Sequence, residues 1–153
     1  MFSYALFVYS ETGKYTNEVD RYLKNSAEAG NVEAMYELGL FADEQNRIDD
    51  SKKWYRKAIE KGHTTAMNNL ANIYDEEGNK KEAMKLYLKS AEKGNPLAFF
   101  NLGNYYEENN NIELAKEYYG KVLDSLKGYP TCKIEQEALA KLKRLENNSE
   151  LRK

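Results

Sequence analysis

One histidine, His63, and one cysteine, Cys132, are all that the 153 residues offer of the two most versatile catalytic side chains. A nucleophile needs a base beside it, and a metal needs several ligands at a recurrent spacing. Cys132 has no base near it in sequence and no second thiol, so it reads as a small hydrophobe. His63 follows a glycine at a position where Asn31 and Asn95 stand elsewhere in the chain, and it reads as a capping or surface residue. No glycine-rich loop able to cradle a phosphate is present. Paired carboxylates are plentiful but fall where solvated helix faces are expected. No catalytic residue, metal or cofactor is expected, and the chain does not read as an enzyme.

Asparagine is the more informative residue type. Asn68 and Asn72 are four apart, so their amides share one helical face. Asn104 lies one repeat of 32 residues after Asn72, and Asn69 and Asn101 are neighbours in the same register. A carboxamide carries both a donor and an acceptor, which matches one peptide unit of an extended ligand. Mid-helix asparagine costs up to ~0.7 kcal/mol relative to alanine. Such repetition therefore means either a ladder that grips a peptide backbone or ordinary polar surface and inter-helix bonding.

The elements that position these residues follow from a period. Gly30, Gly62 and Gly94 are spaced by 32 residues, and Ala34, Ala66 and Ala98 share that spacing. So do Leu6, Leu38, Leu70 and Leu102, and Leu23, Tyr55, Tyr87 and Tyr119. A fixed period of roughly 20–50 residues marks a solenoid. Four gapless units start near residues 1, 32, 64 and 96, and each reads as two helices, A and B. In the third unit, apolar spacing predicts helix A over 64–77 and helix B over 80–93, with the glycines as left-handed C-caps and Pro96 at the first turn of the next helix. In the fourth unit Leu126 takes the glycine column and the break moves to Gly128-Tyr129-Pro130. The amphipathic segment that follows, with Ile134, Ala138, Leu142 and Leu145 on one face, is expected to cap the solenoid. The expected architecture is an all-α, right-handed α-solenoid over 1–146, with a short polar tail over 147–153.

Composition agrees. Charged residues make up 31% of the chain and the formal net charge is −2, which gives no basic footprint for nucleic acid. No stretch approaches the ~20 apolar residues of a membrane span. A single cysteine rules out an intrachain disulfide and agrees with a reducing, cytoplasmic setting. Near the N-terminus Phe2, Tyr4, Leu6, Phe7, Val8 and Tyr9 leave almost no polar face. A helix with that pattern is expected to pack on a second copy, to meet a partner, or to belong to the interior of a longer array; on the first reading Phe2, Leu6, Phe7 and Tyr9 are candidate homodimer contacts.

The segment NLGNYYEENNNIELAKEYYGKVL resembles the tetratricopeptide repeat, with Leu102-Gly103, Tyr106, Ala115, Tyr119 and Val122 in that family's positions. The junctions KAIEKGHTTAMNNLA and KSAEKGNPLAFFNLG are similar to Sel-one-like repeats. The resemblance covers about residues 1–125 and implies a protein-binding scaffold whose A helices line a concave groove. On that mapping the groove holds Tyr36, Asn68 and Phe100, then Leu40, Asn72 and Asn104, with Asn101 beside them. Asp75, Glu76, Glu107 and Glu108 would form an acidic rim, which suits a protein or extended peptide with basic side chains. The rim's charge opposes a nucleic-acid ligand.

Overall fold

The computed structural model describes residues 16–150, with side chains to residue 147. Phe2, Leu6, Phe7 and Tyr9, the candidate dimer contacts, lie outside the described residues. Eight helices follow one another among the described residues, with no strand. They are α1 (Asn17–Glu28), α2 (Val32–Glu44), α3 (Ile48–Glu60), α4 (Thr64–Glu76), α5 (Lys80–Glu92), α6 (Pro96–Glu108), α7 (Ile112–Leu126) and α8 (Lys133–Glu150). The A helices are α2, α4 and α6, and the B helices are α1, α3, α5 and α7. This is an all-α helical-repeat solenoid. Helix α8 continues past residue 146 into the expected tail, where NNSE supplies no glycine or proline to stop it.

The period is written into the caps. Asn31, His63 and Asn95 are N-caps of the three A helices, each side chain accepting a backbone N–H. Asn79 and Asn111 do the same for B helices α5 and α7, whereas Arg47 before α3 makes no side-chain cap bond. The A-to-B turns place Asn46, Gly78 and Asn110 in the left-handed region, with φ of 56°, 78° and 60°. The B-to-A turns use Gly30, Gly62 and Gly94 with φ of 92°, 90° and 79°, as C-cap glycines must. The expected caps and breaks are therefore where the sequence spacing puts them.

The chain divides into two compact units, Met1–Gly78 and Asn79–Lys153. In the first, α1 packs on α2, α2 on α3 and α3 on α4. Its interior holds Leu23, Leu38, Phe41, Tyr55, Leu70 and Ile73, all buried. In the second, α5 packs on α6, α6 on α7, and α8 on both α7 and α6. Ala115, Tyr119 and Val122 of α7 meet Ala138 and Leu145 of α8 in one core cluster. Helix α8 is thus the cap expected from its apolar face, and burying that face is what holds it in place.

Both units share one close-packed device. Tyr55 and Tyr119 are fully buried, and each ring lies flat against a glycine of the preceding A helix. A Cβ on Gly39 would stand 2.5 Å from the Tyr55 ring, and one on Gly103 would stand 2.5 Å from the Tyr119 ring. The glycine in the Leu-Gly pair is therefore a space requirement rather than a conformational one.

Candidate functional site

In the first unit the named residues of α2 and α4 serve mixed ends. Tyr36 is half-buried and stacks on the His63 ring at 4.4 Å between centroids. His63 Nδ1 accepts the Ala66 backbone N–H at 3.1 Å while Nε2 lies 3.3 Å from Glu33, so the histidine is the cap it was expected to be. Leu40 and Asn72 are half-buried, Asp75 is half-buried and Glu76 is exposed. Asn68 is only 2% exposed, which turns its amide toward the interior of the unit rather than toward a ligand. Its neighbour Asn69 donates to the Tyr55 hydroxyl at 3.3 Å. Burial, which the Asn69 bond does not offset, pushes the Tyr55 hydroxyl up to about 12. Glu37 is pushed up by burial and then by Glu33 and Glu44, so α2 presents a crowded negative edge.

The second unit gathers more. Leu97, Phe100, Asn104, Glu107 and Glu108 fall at spacings of three and four on α6, which places them on one face. Opposite stand Lys133, Ile134, Glu137, Lys141 and Arg144, which share one face of α8 in the same way. Two openings lie between the helices. One, of about 300 Å³, is lined by Leu97, Phe100, Lys133, Ile134 and Glu137. The other, of about 540 Å³, is lined by Asn104, Glu107, Glu108, Lys141 and Arg144. They follow each other along α6, an apolar slot first and a charged pocket after it. From Leu97 to Glu108 the helix rises ~16 Å, the length of about five residues of extended chain.

Glu107 is the hub of the charged end. The Tyr119 hydroxyl lies 2.8 Å from Glu107 Oε2 and 2.8 Å from Asn104 Oδ1, with one proton to donate between them. Lys141 Nζ donates to Glu107 Oε2 at 3.3 Å, and Arg144 pairs with the other oxygen. Burial would raise the Glu107 carboxyl, but the Tyr119 hydrogen bond and the Lys141 and Arg144 charges outweigh it and hold it below the usual range. The Tyr119 hydroxyl is pushed well up, first by burial and then by Glu107. Asn104 keeps its NH₂ as a donor while its oxygen faces Tyr119. Asn101 is half-buried on the neighbouring stripe.

The acidic rim is therefore not uniformly acidic. The cleft lining carries Glu107, Glu108 and Glu137 against Lys133, Lys141 and Arg144, so the signs balance locally. In the first unit Glu77 pairs with Lys52 of α3, whose ammonium also sits 5.4 Å from the Tyr74 ring. Sequence spacing expected Phe100 and Asn104 in the groove and Glu107 and Glu108 on its acidic rim; in the structure Phe100 lines the apolar opening, and Asn104, Glu107 and Glu108 line the charged one. Sequence reasoning missed Leu97, Lys141 and Arg144, and it read Ile134 only as part of the apolar face of the capping helix. The signal for Lys141 and Arg144 was the spacing of 137, 141 and 144, which puts a polar stripe beside the apolar one on the same helix. No group of three or more metal-ligating side chains is found among the described residues, and none of their helices is long and apolar enough to cross a membrane.

Comparison with known proteins agrees with the geometry. The tetratricopeptide repeat family matches residues 63–93 and, in a second form, residues 32–60 and 97–125, together more than half of the chain. No curated protein matches it. Among solved structures, a protective antigen of uropathogenic Escherichia coli strains that displays an SLR fold is similar at 28% identity and a TM-score of 0.67. That match covers 92% of this chain but only 36% of the antigen, so the chain spans about a third of its length. The N-terminal domain of stress-induced protein-1 from C. elegans is 26% identical over 75% of this chain and 94% of its own, with a TM-score of 0.57. A Sel1 repeat protein from Oxalobacter formigenes shares the fold over 99% of this chain and 72% of its own, at a TM-score of 0.68 and 20% identity. The chain belongs to the tetratricopeptide-like, Sel1-like helical-repeat family.

Proposed function

We propose that the protein is a non-enzymatic scaffold that binds a partner protein through an extended peptide laid along its A-helix faces. The observation that carries this reading is the two-part cleft between α6 and α8. An apolar slot and a charged pocket follow each other between the two helices, over a length that fits about five extended residues. Apolar anchoring with a few placed polar groups is how such sites hold a ligand. Phe100 and Leu97 supply the anchor. Asn104 and Asn101 present amides to the peptide backbone, and Glu107 and Glu108 meet its charges. Taken by itself, the first unit presents Tyr36, Leu40, Asn72, Asp75 and Glu76 on α2 and α4, with Asn68 buried inside that unit.

The local balance of charge argues against a partner chosen by long-range attraction alone. Recognition then rests on contacts made inside the cleft. The test is a peptide selected from a random display library against the whole chain. The Phe100→Ala, Asn104→Ala double variant is expected to bind it at least tenfold more weakly with unchanged helical circular dichroism. Undiminished affinity in that variant would sink the reading.

A further inference from the structure

The cation lodged on α6 comes from the chain itself. Lys141 Nζ lies 5.8 Å from the Phe100 ring centroid, 5.4 Å from that of Tyr119 and 3.3 Å from Glu107 Oε2. The two rings stand 5.7 Å apart, tilted by 54°. An ammonium there meets two aromatic faces and one carboxylate, each ring within the ~6 Å over which ring quadrupoles attract cations. Tyr119 is fully buried and its hydroxyl is within bonding distance of Glu107, so the arrangement is fixed from below and does not depend on the lysine.

Glu107 also has a second cation. Arg144 pairs with its other oxygen. Opening a buried ion pair is normally costly because it leaves a charge without a partner. Here the departure of Lys141 leaves Glu107 paired with Arg144, and the Lys141 side chain is already 31% exposed, so its head returns readily to water. The bond to Lys141 can therefore open without leaving Glu107 unpaired.

We propose that Phe100, Tyr119 and Glu107 form a recognition site for a lysine side chain of a partner polypeptide, which Lys141 fills until the partner's lysine replaces it. The proposal rests on the reading of the α6–α8 cleft as a peptide site and deepens it. The ligand it fits has an apolar residue for the slot at Leu97 and Ile134 and a lysine a few residues away. Because the internal lysine competes, the affinity seen by a partner is reduced by the fraction of time the box stands open. Emptying the box removes that competitor.

The test uses n-butylammonium, a lysine side chain without its backbone, titrated into the whole chain while the Phe100 and Tyr119 ring resonances are followed by NMR. The Lys141→Ala variant keeps the Ala138 and Leu145 anchors of α8. It is expected to show saturable shifts with an affinity at least tenfold above that of the parent chain. Adding Glu107→Gln to Lys141→Ala should abolish them, and neutral 1-pentanol should produce none. Absence of saturable shifts in Lys141→Ala, or equal affinity for parent and variant, overturns the proposal. A second measurement on the parent chain covers the case in which Lys141→Ala melts: acetyl-Leu-Ala-Ala-Lys amide should bind at least fivefold more tightly than its norleucine analogue. Equal binding of the two overturns the lysine site and leaves the cleft standing. A response to the amine with no binding of either peptide leaves the lysine site standing and removes the cleft reading.

Discussion

Glycine is used for two opposite purposes in the second unit, and the difference is measurable. Gly103 lies under the Tyr119 ring, where an added Cβ would come within 2.5 Å of a fully buried side chain. Gly120 is also mid-helix, in α7, but a Cβ there would meet nothing within 4 Å. Alanine gains about 1 kcal/mol over glycine from helix propensity at either site. Overpacking costs about 1–3 kcal/mol where the neighbour cannot yield. Gly103→Ala is therefore expected to lower the urea midpoint and Gly120→Ala to raise it; a rise in both would mean the Tyr119 ring is free to move. Glu107 makes a second prediction at this scale. Its folded carboxyl titrates below the ordinary value, so its contribution to stability is present above the ordinary carboxylate range and lost as pH falls through the lowered folded value. Glu107→Gln should flatten the decline of second-unit amide protection between about pH 5 and pH 3. An unchanged slope in that variant would contradict the hub role assigned to Glu107.

Among the helices, the caps repeat with one exception. Arg47, Asn79 and Asn111 occupy the same place before α3, α5 and α7, with φ, ψ of −91°, 68°, then −82°, 61°, then −92°, 76°. The backbone at Arg47 is thus already shaped for a cap that its side chain does not make. Its ion pair with Asp50 is solvent-exposed and weak compensation. Arg47→Asn is expected to stabilise the first unit by about 1 kcal/mol, read as a higher unfolding temperature. A lower temperature would show that the Asp50 pair outweighs the cap. This regularity is also why the helices were legible in the sequence. Cap, glycine and apolar columns recur at one spacing, so each repeat corroborates the others. Helix α8 escapes that logic. Its Ala138 stands 40 residues after Ala98 rather than 32 because of the Gly128–Pro130 detour. Its apolar stripe announced a cap, but the detour leaves Lys141 and Arg144 outside the 32-residue spacing that marks the other columns. Asn68 fails for the opposite reason: it shares a column with half-buried Tyr36 and Phe100, yet its short side chain is enclosed. Periodicity fixes where a residue sits on a helix and does not fix how much of it its neighbours cover.

At the scale of the whole chain, a formal net charge of −2 and locally balanced lining charges leave little field to steer a partner over distance. On the proposed reading, selectivity comes from contacts made in the cleft of the second unit. Its slot, its charged pocket and its lysine box lie along a single pair of helix faces, α6 and α8, braced from beneath by Tyr119. The most direct test of that account maps a bound ligand onto the structure. Amide and ring resonances of the whole chain would be recorded with and without a library-selected peptide. The account predicts the largest shifts at Leu97, Phe100, Asn104, Glu107, Ile134 and Lys141. Saturable binding whose shifts fall only on the B helices α3, α5 and α7, with those six residues unmoved, would contradict it.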